Sequence, residues 1–103
     1  MPTPEKHFNG LSPQDAEILA LIAEECAEVI QAVTKIQRHG LESRNPLDPE
    51  AGDNRRFLAK EVGHLRHALK RAWGAGILND ELADEFEDAK AKTIGRWLHH
   101  ADA

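Results

Sequence analysis

The sequence is poor in cysteine and in long apolar runs, and each shortage narrows the class of protein. Cys26 is the single cysteine among 103 residues, so no disulfide bond can form within the chain. The longest uninterrupted apolar run, residues 18–23, is far shorter than the roughly 20 residues that a membrane-spanning helix needs. Residues 1–10 are polar and lack the apolar centre of a signal peptide. These features predict a soluble, cytoplasmic protein.

Positive charge is also in short supply. Lysine and arginine number 13 against 18 aspartates and glutamates, so the formal net charge is −5. Without a basic excess or a basic run, general binding to nucleic acid or to an anionic membrane is not expected. The sequence also lacks a glycine-rich phosphate loop, a nucleophile elbow and a Cys/His zinc pattern. Any phosphate binding must therefore be local or mediated by a metal ion.

Capping and turn residues divide the chain into a short arm and one helical domain. A chain of this length is expected to form one domain, which we assign to residues 12–100, after an arm at residues 1–11. Serine, aspartate and asparagine caps, with glycines near the helix ends, predict three principal helices. Their predicted spans are about 12–38, 53–73 and 79–100, the last with a weak point at Gly95.

No stretch of the sequence alternates apolar and polar residues as a half-buried strand does, so the fold class is all-α. Three principal helices, of which one could be broken in two, give three to four helices per chain. A domain this small has a limited core, and oligomerisation is a common way to bury more apolar surface. The chain is therefore expected to form part of a helical bundle completed by a second copy.

The first two predicted helices share one design, in which a pair of metal-capable side chains lies beside an apolar stripe. The stripe residues, among which Cys26 is expected to pack in the core, are Ile18, Ile22, Cys26, Val29, Val33 and Ile36, then Leu58, Val62, Leu65, Leu69 and Trp73. The pairs are Glu25 with Glu28 and Glu61 with His64, each spaced i, i+3. Antiparallel packing of the two helices could bring both pairs together.

Such a cluster suggests a metal site. Three carboxylates held close together repel one another when bare, and a bound cation removes that repulsion. Magnesium prefers oxygen ligands and keeps several waters, which leaves room for substrate phosphates. A metal held in this way can neutralise phosphate charge and activate a water molecule. The alternative is that each acidic pair is simply the solvated shoulder of an amphipathic helix.

Two segments resemble the motif helices of MazG-like nucleotide pyrophosphohydrolases. Residues 21–40 centre on the run Glu-Glu-Cys-Ala-Glu, which ends at Glu28, and continue to a Lys-x-x-Arg-x-Gly run that begins at Lys35. Residues 54–65 centre on Lys-Glu-Val-Gly-His, which ends at His64. The family pattern is Glu-x-x-Glu, a spacer, then Glu-x-x-Asp. This chain has Glu-x-x-Glu at its first motif and Glu-x-x-His at its second.

The resemblance implies an all-α fold that is usually dimeric or tetrameric. It also implies cleavage of a nucleoside or deoxynucleoside triphosphate between the α and β phosphates, which yields a monophosphate and pyrophosphate. Members of the family use Mg²⁺ held by the motif carboxylates. Carried over by position, the catalytic metal ligands would be Glu25, Glu28 and Glu61, and His64 would occupy the place of the fourth ligand, normally an aspartate.

His64 is the departure from the family pattern. A neutral imidazole suits zinc, copper or nickel better than magnesium, and it brings one negative charge fewer. His64 could therefore bind the metal and shift the preference to Mn²⁺ or another divalent ion, or it could stand aside while three glutamates suffice. The third outcome is an impaired site, in which the protein binds nucleotide or a protein partner without hydrolysis. A further alternative is a structural helical bundle that binds no ligand.

Four further residues are candidates for substrate binding, and each also has a structural explanation. Lys35 and Arg38 could contact phosphates or could compensate the negative end of the first helix. Asn54 could contact the base or sugar, or could help to cap the second helix. Lys92 belongs to a basic end of the third helix that could close over a triphosphate from the same or a partner subunit. Otherwise, Lys92 compensates the charge of its own helix end.

Overall fold

A computed structural model describes residues 8–100, and within this range the chain forms three α-helices and no regular strand. Their bounds are Pro13–His39 for α1, Asn54–Gly74 for α2 and Asp80–Thr93 for α3, with short 3₁₀ turns at Pro49–Ala51 and Ile94–Arg96. The all-α class is therefore confirmed. None of the helices in the described range is long and apolar enough to cross a bilayer. Most of the predicted arm, residues 1–7, lies outside the described residues.

The helix starts follow from side-chain caps that the sequence indicates. Ser12 Oγ accepts a hydrogen bond from the backbone N–H of the third helical residue at 3.1 Å. Asp53 Oδ1 caps α2 in the same way at 3.0 Å, and Asn79 Oδ1 caps α3 at 3.0 Å. Each cap satisfies one of the N–H groups that have no partner inside the helix.

The prediction that the third helix runs to about residue 100 is wrong, because α3 ends at Thr93 and continues only as a 3₁₀ turn. The Thr93 hydroxyl donates to the carbonyls of Ala89 and Lys90, at 3.3 and 3.4 Å. A β-branched pair, Thr93 and Ile94, is followed directly by Gly95, and these residues have low helix propensity. The weak point near Gly95 therefore acts as the end of the helix.

Helices α1 and α2 pack against each other as an antiparallel hairpin. Asn54, at the start of α2, donates through Nδ2 to the carbonyl of Gly40, just past the end of α1, at 3.1 Å. Farther along, His64 on α2 lies opposite Glu25 on α1. The buried apolar residues of the hairpin are mostly small: Ile18, Ala32, Ala68 and Ala72. Alanines at the contact allow the two helices to approach closely over the metal-capable pairs.

The packing face of α1 extends beyond the predicted stripe onto the shoulder beside it. Cys26 is exposed, so its prediction as a core residue is wrong for the single chain, and Val33 is also exposed. Ala32 is buried, and Glu25 and Glu28 are half-buried. The shoulder that carries the glutamates therefore shares the packing against α2 with the predicted stripe, of which Ile18 is buried and Ile22, Val29 and Ile36 are half-buried.

Helix α3 packs extensively on neither α1 nor α2, and the chain is correspondingly open. Its radius of gyration is 18.1 Å, whereas a compact domain of this length would have about 13 Å. Apolar side chains on and around α3 are left in solvent, and Phe86 is 68% exposed. The site therefore belongs to the α1–α2 hairpin alone.

Candidate metal centre and adjoining clefts

The α1–α2 hairpin brings together all four metal-capable side chains. Glu25, Glu28, Glu61 and His64 each offer one ligand atom, and these four atoms lie within 4.8 Å of one another. The i, i+3 spacing places both members of a pair on one side of their helix, and the antiparallel packing sets the two pairs face to face. Residues almost forty positions apart in the sequence thus form one compact cluster.

Two carboxylate oxygens in this cluster have no partner. The Oε2 atoms of Glu25 and Glu61 are buried and make no hydrogen bond with any described residue. Their side chains are 13% and 14% exposed, against 50% for His64. His64 Nδ1 lies 3.8 Å from each of these oxygens, which is too long for a hydrogen bond. Buried carboxylate oxygens without a partner are costly, and a proton or a cation would relieve that cost.

The third carboxylate responds to the same crowding of negative charge. The pKa of Glu28 is raised above its ordinary value, chiefly because its carboxyl can share a hydrogen bond with Glu61. The negative charge of Glu61 and partial desolvation also raise the pKa of Glu28, while His64 and Lys60 oppose the shift. A shared proton is how two close carboxyl groups reduce their repulsion when no cation lies between them.

Three carboxylates and one imidazole are a donor set that fits a divalent metal. The carboxylate oxygens suit Mg²⁺ and Mn²⁺, and the imidazole suits transition metals better than magnesium. The partly exposed His64 and the half-buried Glu28 leave the cluster open to solvent on one side. An open side is where waters or substrate oxygens could complete the coordination of a bound ion.

One cleft adjoins the cluster, and a second cleft lies beside the first. A cleft of about 300 Å³ reaches Glu28 and Glu61 and is also lined by Lys35 and Phe57. A second cleft, of about 390 Å³, lies between the end of α1, the following loop and the start of α2, and it shares Lys35 and Phe57 with the first. The largest hollow, about 520 Å³, is lined by none of the four cluster residues. The two smaller clefts are therefore the relevant ones for chemistry at the cluster.

Three of the four predicted substrate-binding residues lie together in the 390 Å³ cleft. Lys35, Arg38 and Asn54 line it. The Asn54 side chain also bridges the two helices through Gly40, and the side chain that caps α2 is Asp53. Lys92 lines neither cleft, because it lies in the last turn of α3, which stands away from the hairpin.

The cleft also contains residues that the sequence alone did not indicate as binding residues. His39, Ser43, Arg44, Asn45 and Pro46 also line it. The position of His39 was predictable from spacing, because it follows Lys35 by four residues and therefore lies on the same side of α1. The positions of the loop residues were not predictable, because the turns of residues 41–53 decide where their side chains lie.

Comparison with protein-family models, with curated proteins and with solved structures found no match to this chain. Support for a function therefore comes from the cluster, from the adjoining clefts and from the spacing of the two motifs.

Proposed function

We propose that this chain is a MazG-like, metal-dependent nucleoside triphosphate pyrophosphohydrolase, which converts an NTP or dNTP to its monophosphate and pyrophosphate. One observation carries the proposal: Glu25, Glu28, Glu61 and His64 converge across two antiparallel helices, and two of their buried carboxylate oxygens lack partners. A divalent cation would stabilise this arrangement. The Glu-x-x-Glu and Glu-x-x-His spacing supports the same conclusion.

The residues of the hairpin would divide the work between holding the metal and positioning the substrate. Glu25, Glu28, Glu61 and His64 would hold a divalent ion, which when bound supplies an activated water and neutralises phosphate charge. Glu25 and Glu61 are well covered and their positions are held by helix packing. Lys35 lines the cleft next to Glu28 and Glu61, so its ammonium group is placed to pair with a phosphate oxygen.

Mg²⁺ is the cofactor implied by the motif, and Mn²⁺ is favoured as an alternative by the imidazole of His64. Mn²⁺ accepts both carboxylate oxygens and imidazole nitrogens, whereas Mg²⁺ demands oxygen ligands more strictly. We therefore propose that the site accepts both ions and that Mn²⁺ supports the faster reaction.

We also propose that the active form is a homodimer or a homotetramer. The chain exposes 8821 Å², about 3,000 Å² more than a compact monomer of this mass would expose. The excess is consistent with a missing partner, since obligate dimers bury about 2,000 Å² or more in total. The outward apolar residues that a second copy could cover include Ile30, Val33, Leu82 and Phe86.

The proposed reaction is tested by product analysis. Canonical and modified NTPs and dNTPs would be incubated with the protein and Mg²⁺, Mn²⁺ or Zn²⁺, with a chelator as control, and the products identified by ³¹P NMR. We expect monophosphate and pyrophosphate, formed only with metal. Release of a diphosphate and inorganic phosphate would show a different bond cleavage and would contradict the proposal.

The second candidate function is a module that binds nucleotide or a protein partner without hydrolysis. The observation that favours it is His64, a half-exposed imidazole at the position where the motif has a carboxylate. In this case a nucleoside triphosphate would bind in the presence of metal, yet no pyrophosphate would form with any of the three ions. Equilibrium binding measured beside the product analysis separates the two functions.

A further inference from the structure

We propose that the 390 Å³ cleft binds the terminal phosphates of the substrate, the part that leaves as pyrophosphate, and that Arg44 is its main contact. The inference rests on the proposed function, since it assigns the cleft beside the candidate metal centre. Arg44 is five residues past the end of α1, in the loop that joins α1 to α2.

The cleft is positively charged, which supports the binding of an anion. Lys35, Arg38 and Arg44 line it with His39, and no acidic side chain lines it, although the chain as a whole carries −5. In the described part of the chain, no carboxylate lies within 4.0 Å of these lysine and arginine nitrogens. Three cations without acidic partners repel one another, and a multiply charged anion would offset that repulsion.

The position of Arg44 is set by the fold before any ligand binds. Its Nη1 donates to the carbonyl of Pro49 at 2.9 Å, and its backbone forms an isolated antiparallel bridge with Asp53. The neighbouring carbonyl of Ser43 accepts from the backbone N–H of Asn54 at 3.0 Å. The loop is thus attached to the start of α2. The remaining N–H groups of the guanidinium can bind an anion, and a prepositioned group loses less entropy on binding.

The two clefts are adjacent, and this arrangement would orient the substrate. Lys35 and Phe57 line both, and the smaller cleft reaches Glu28 and Glu61. A triphosphate with its reacting phosphorus at the cluster would therefore extend one end past Lys35 into the basic cleft. The terminal pair of phosphates carries more negative charge than the α phosphate, so electrostatic attraction places that end against Arg38 and Arg44.

Binding of inorganic pyrophosphate without metal tests this assignment directly. Isothermal titration in the presence of chelator would compare the wild-type protein with Arg44→Gln. The matched control is Arg66→Gln, which removes the same charge from an exposed position on α2 that lines neither cleft. We expect pyrophosphate to bind roughly tenfold more weakly to Arg44→Gln, the loss of about one charge-assisted hydrogen bond, and to bind Arg66→Gln like the wild type.

A second variant is needed because Arg44 also donates to the Pro49 carbonyl, so that Arg44→Gln could weaken binding by loosening the loop. Arg38→Gln removes a cation whose side chain makes no hydrogen bond with the described residues, and we expect it to weaken pyrophosphate binding as well. Unchanged pyrophosphate binding in both variants would overturn the assignment. So would variants that weaken the binding of an unphosphorylated nucleoside and leave pyrophosphate binding intact, since the cleft would then hold the nucleoside end.

The outcome is separable from that of the proposed function, since pyrophosphate binding requires neither metal nor turnover. Binding that depends on Arg44 in a protein that hydrolyses no triphosphate would support the cleft and refute the enzyme. If the protein hydrolyses triphosphates but binds pyrophosphate equally well without Arg44 or Arg38, the assignment of the cleft would be refuted and the proposed function would stand.

Discussion

At the scale of single residues, the cluster gathers negative charge where solvent is scarce. Glu25 and Glu61 each hold one buried oxygen without a partner, and the pKa of Glu28 is raised, chiefly because its carboxyl can share a hydrogen bond with Glu61. His64 lies near both buried oxygens but at 3.8 Å does not satisfy them. This local conflict suits a cation, and it makes the stability of the metal-free protein depend on pH.

The sign of that dependence follows from the raised pKa of Glu28. The folded chain holds a proton on Glu28 at a pH where the unfolded chain has released it, so this group stabilises the fold below its ordinary pKa. The contribution is lost as the pH rises through the raised pKa in the folded state. We therefore expect the metal-free wild type to lose thermal stability over this range relative to Glu28→Gln, as measured by melting followed by circular dichroism. Parallel pH profiles for the two proteins would contradict the shared proton.

A change at position 64 should alter the metal preference. His64→Asp supplies a fourth carboxylate, which adds negative charge and an oxygen ligand. We expect kcat/KM with Mg²⁺ to rise roughly tenfold, as changes of ligand environment commonly alter affinity or activity by about 10–100-fold, while the advantage of Mn²⁺ shrinks. Steady-state kinetics with each ion would measure this. Unchanged kinetics, with Mg²⁺ already bound tightly by the wild type, would show that His64 does not set the preference.

At the scale of elements, the hairpin and its connecting loop decide the shape of the site. Gly52 is buried at φ +109° and ψ 178°, immediately before the cap of α2. A Cβ atom at this position would also meet the Arg56 side chain, which would have to move. Its backbone conformation is one that essentially only glycine adopts. The loop that carries Arg44 therefore depends on Gly52.

Gly52→Ala should lower the free energy of unfolding by roughly 1–3 kcal/mol, the cost of holding a non-glycine residue in this conformation. It should also weaken pyrophosphate binding, because the loop around Arg44 would shift. Denaturant unfolding measures the first effect and calorimetry the second. The matched control is Gly63→Ala, inside α2 with no atom near its added Cβ, which should stabilise the protein by roughly 0.5–1 kcal/mol. Equal effects in both variants would contradict the role of Gly52.

The elements also show what could be predicted from the sequence. The helix starts were predictable because Ser12, Asp53 and Asn79 cap locally, and the convergence of the two motif pairs followed from their spacing. The burial of Ala32 and the exposure of Cys26 were not predictable, since small and apolar residues occupy adjacent stripes of α1 and periodicity alone does not say where the packing face ends. The position of Arg44 in the cleft could not be predicted, because it depends on turn geometry and turns have no repeating sequence pattern.

At the scale of the whole molecule, the isolated chain is too open for its length. Its radius of gyration is 18.1 Å, and α3 extends from the hairpin with apolar residues in solvent. Large apolar side chains left exposed on α3, such as Leu82 and Phe86, are consistent with an association surface.

A charge placed on α3 should therefore disrupt the assembly. Phe86→Lys puts an ammonium group at a position that is 68% exposed in the single chain, where we expect a second copy to cover it. Light scattering after size-exclusion chromatography should give a dimer or tetramer for the wild type and a lower mass for Phe86→Lys. The matched control is Leu47→Lys, in the loop between α1 and α2. A monomeric wild type would contradict the proposed assembly.

The most direct test of the central claim is the rate of pyrophosphate release from nucleoside triphosphates by the wild type and by Glu28→Gln, each with and without Mg²⁺ or Mn²⁺. We expect release that needs the metal and falls at least roughly 100-fold in Glu28→Gln, the range seen when one important group is removed from an active site. Full activity in folded Glu28→Gln would contradict the assignment of the cluster. Absence of release from the wild type with every ion would contradict the enzymatic function itself.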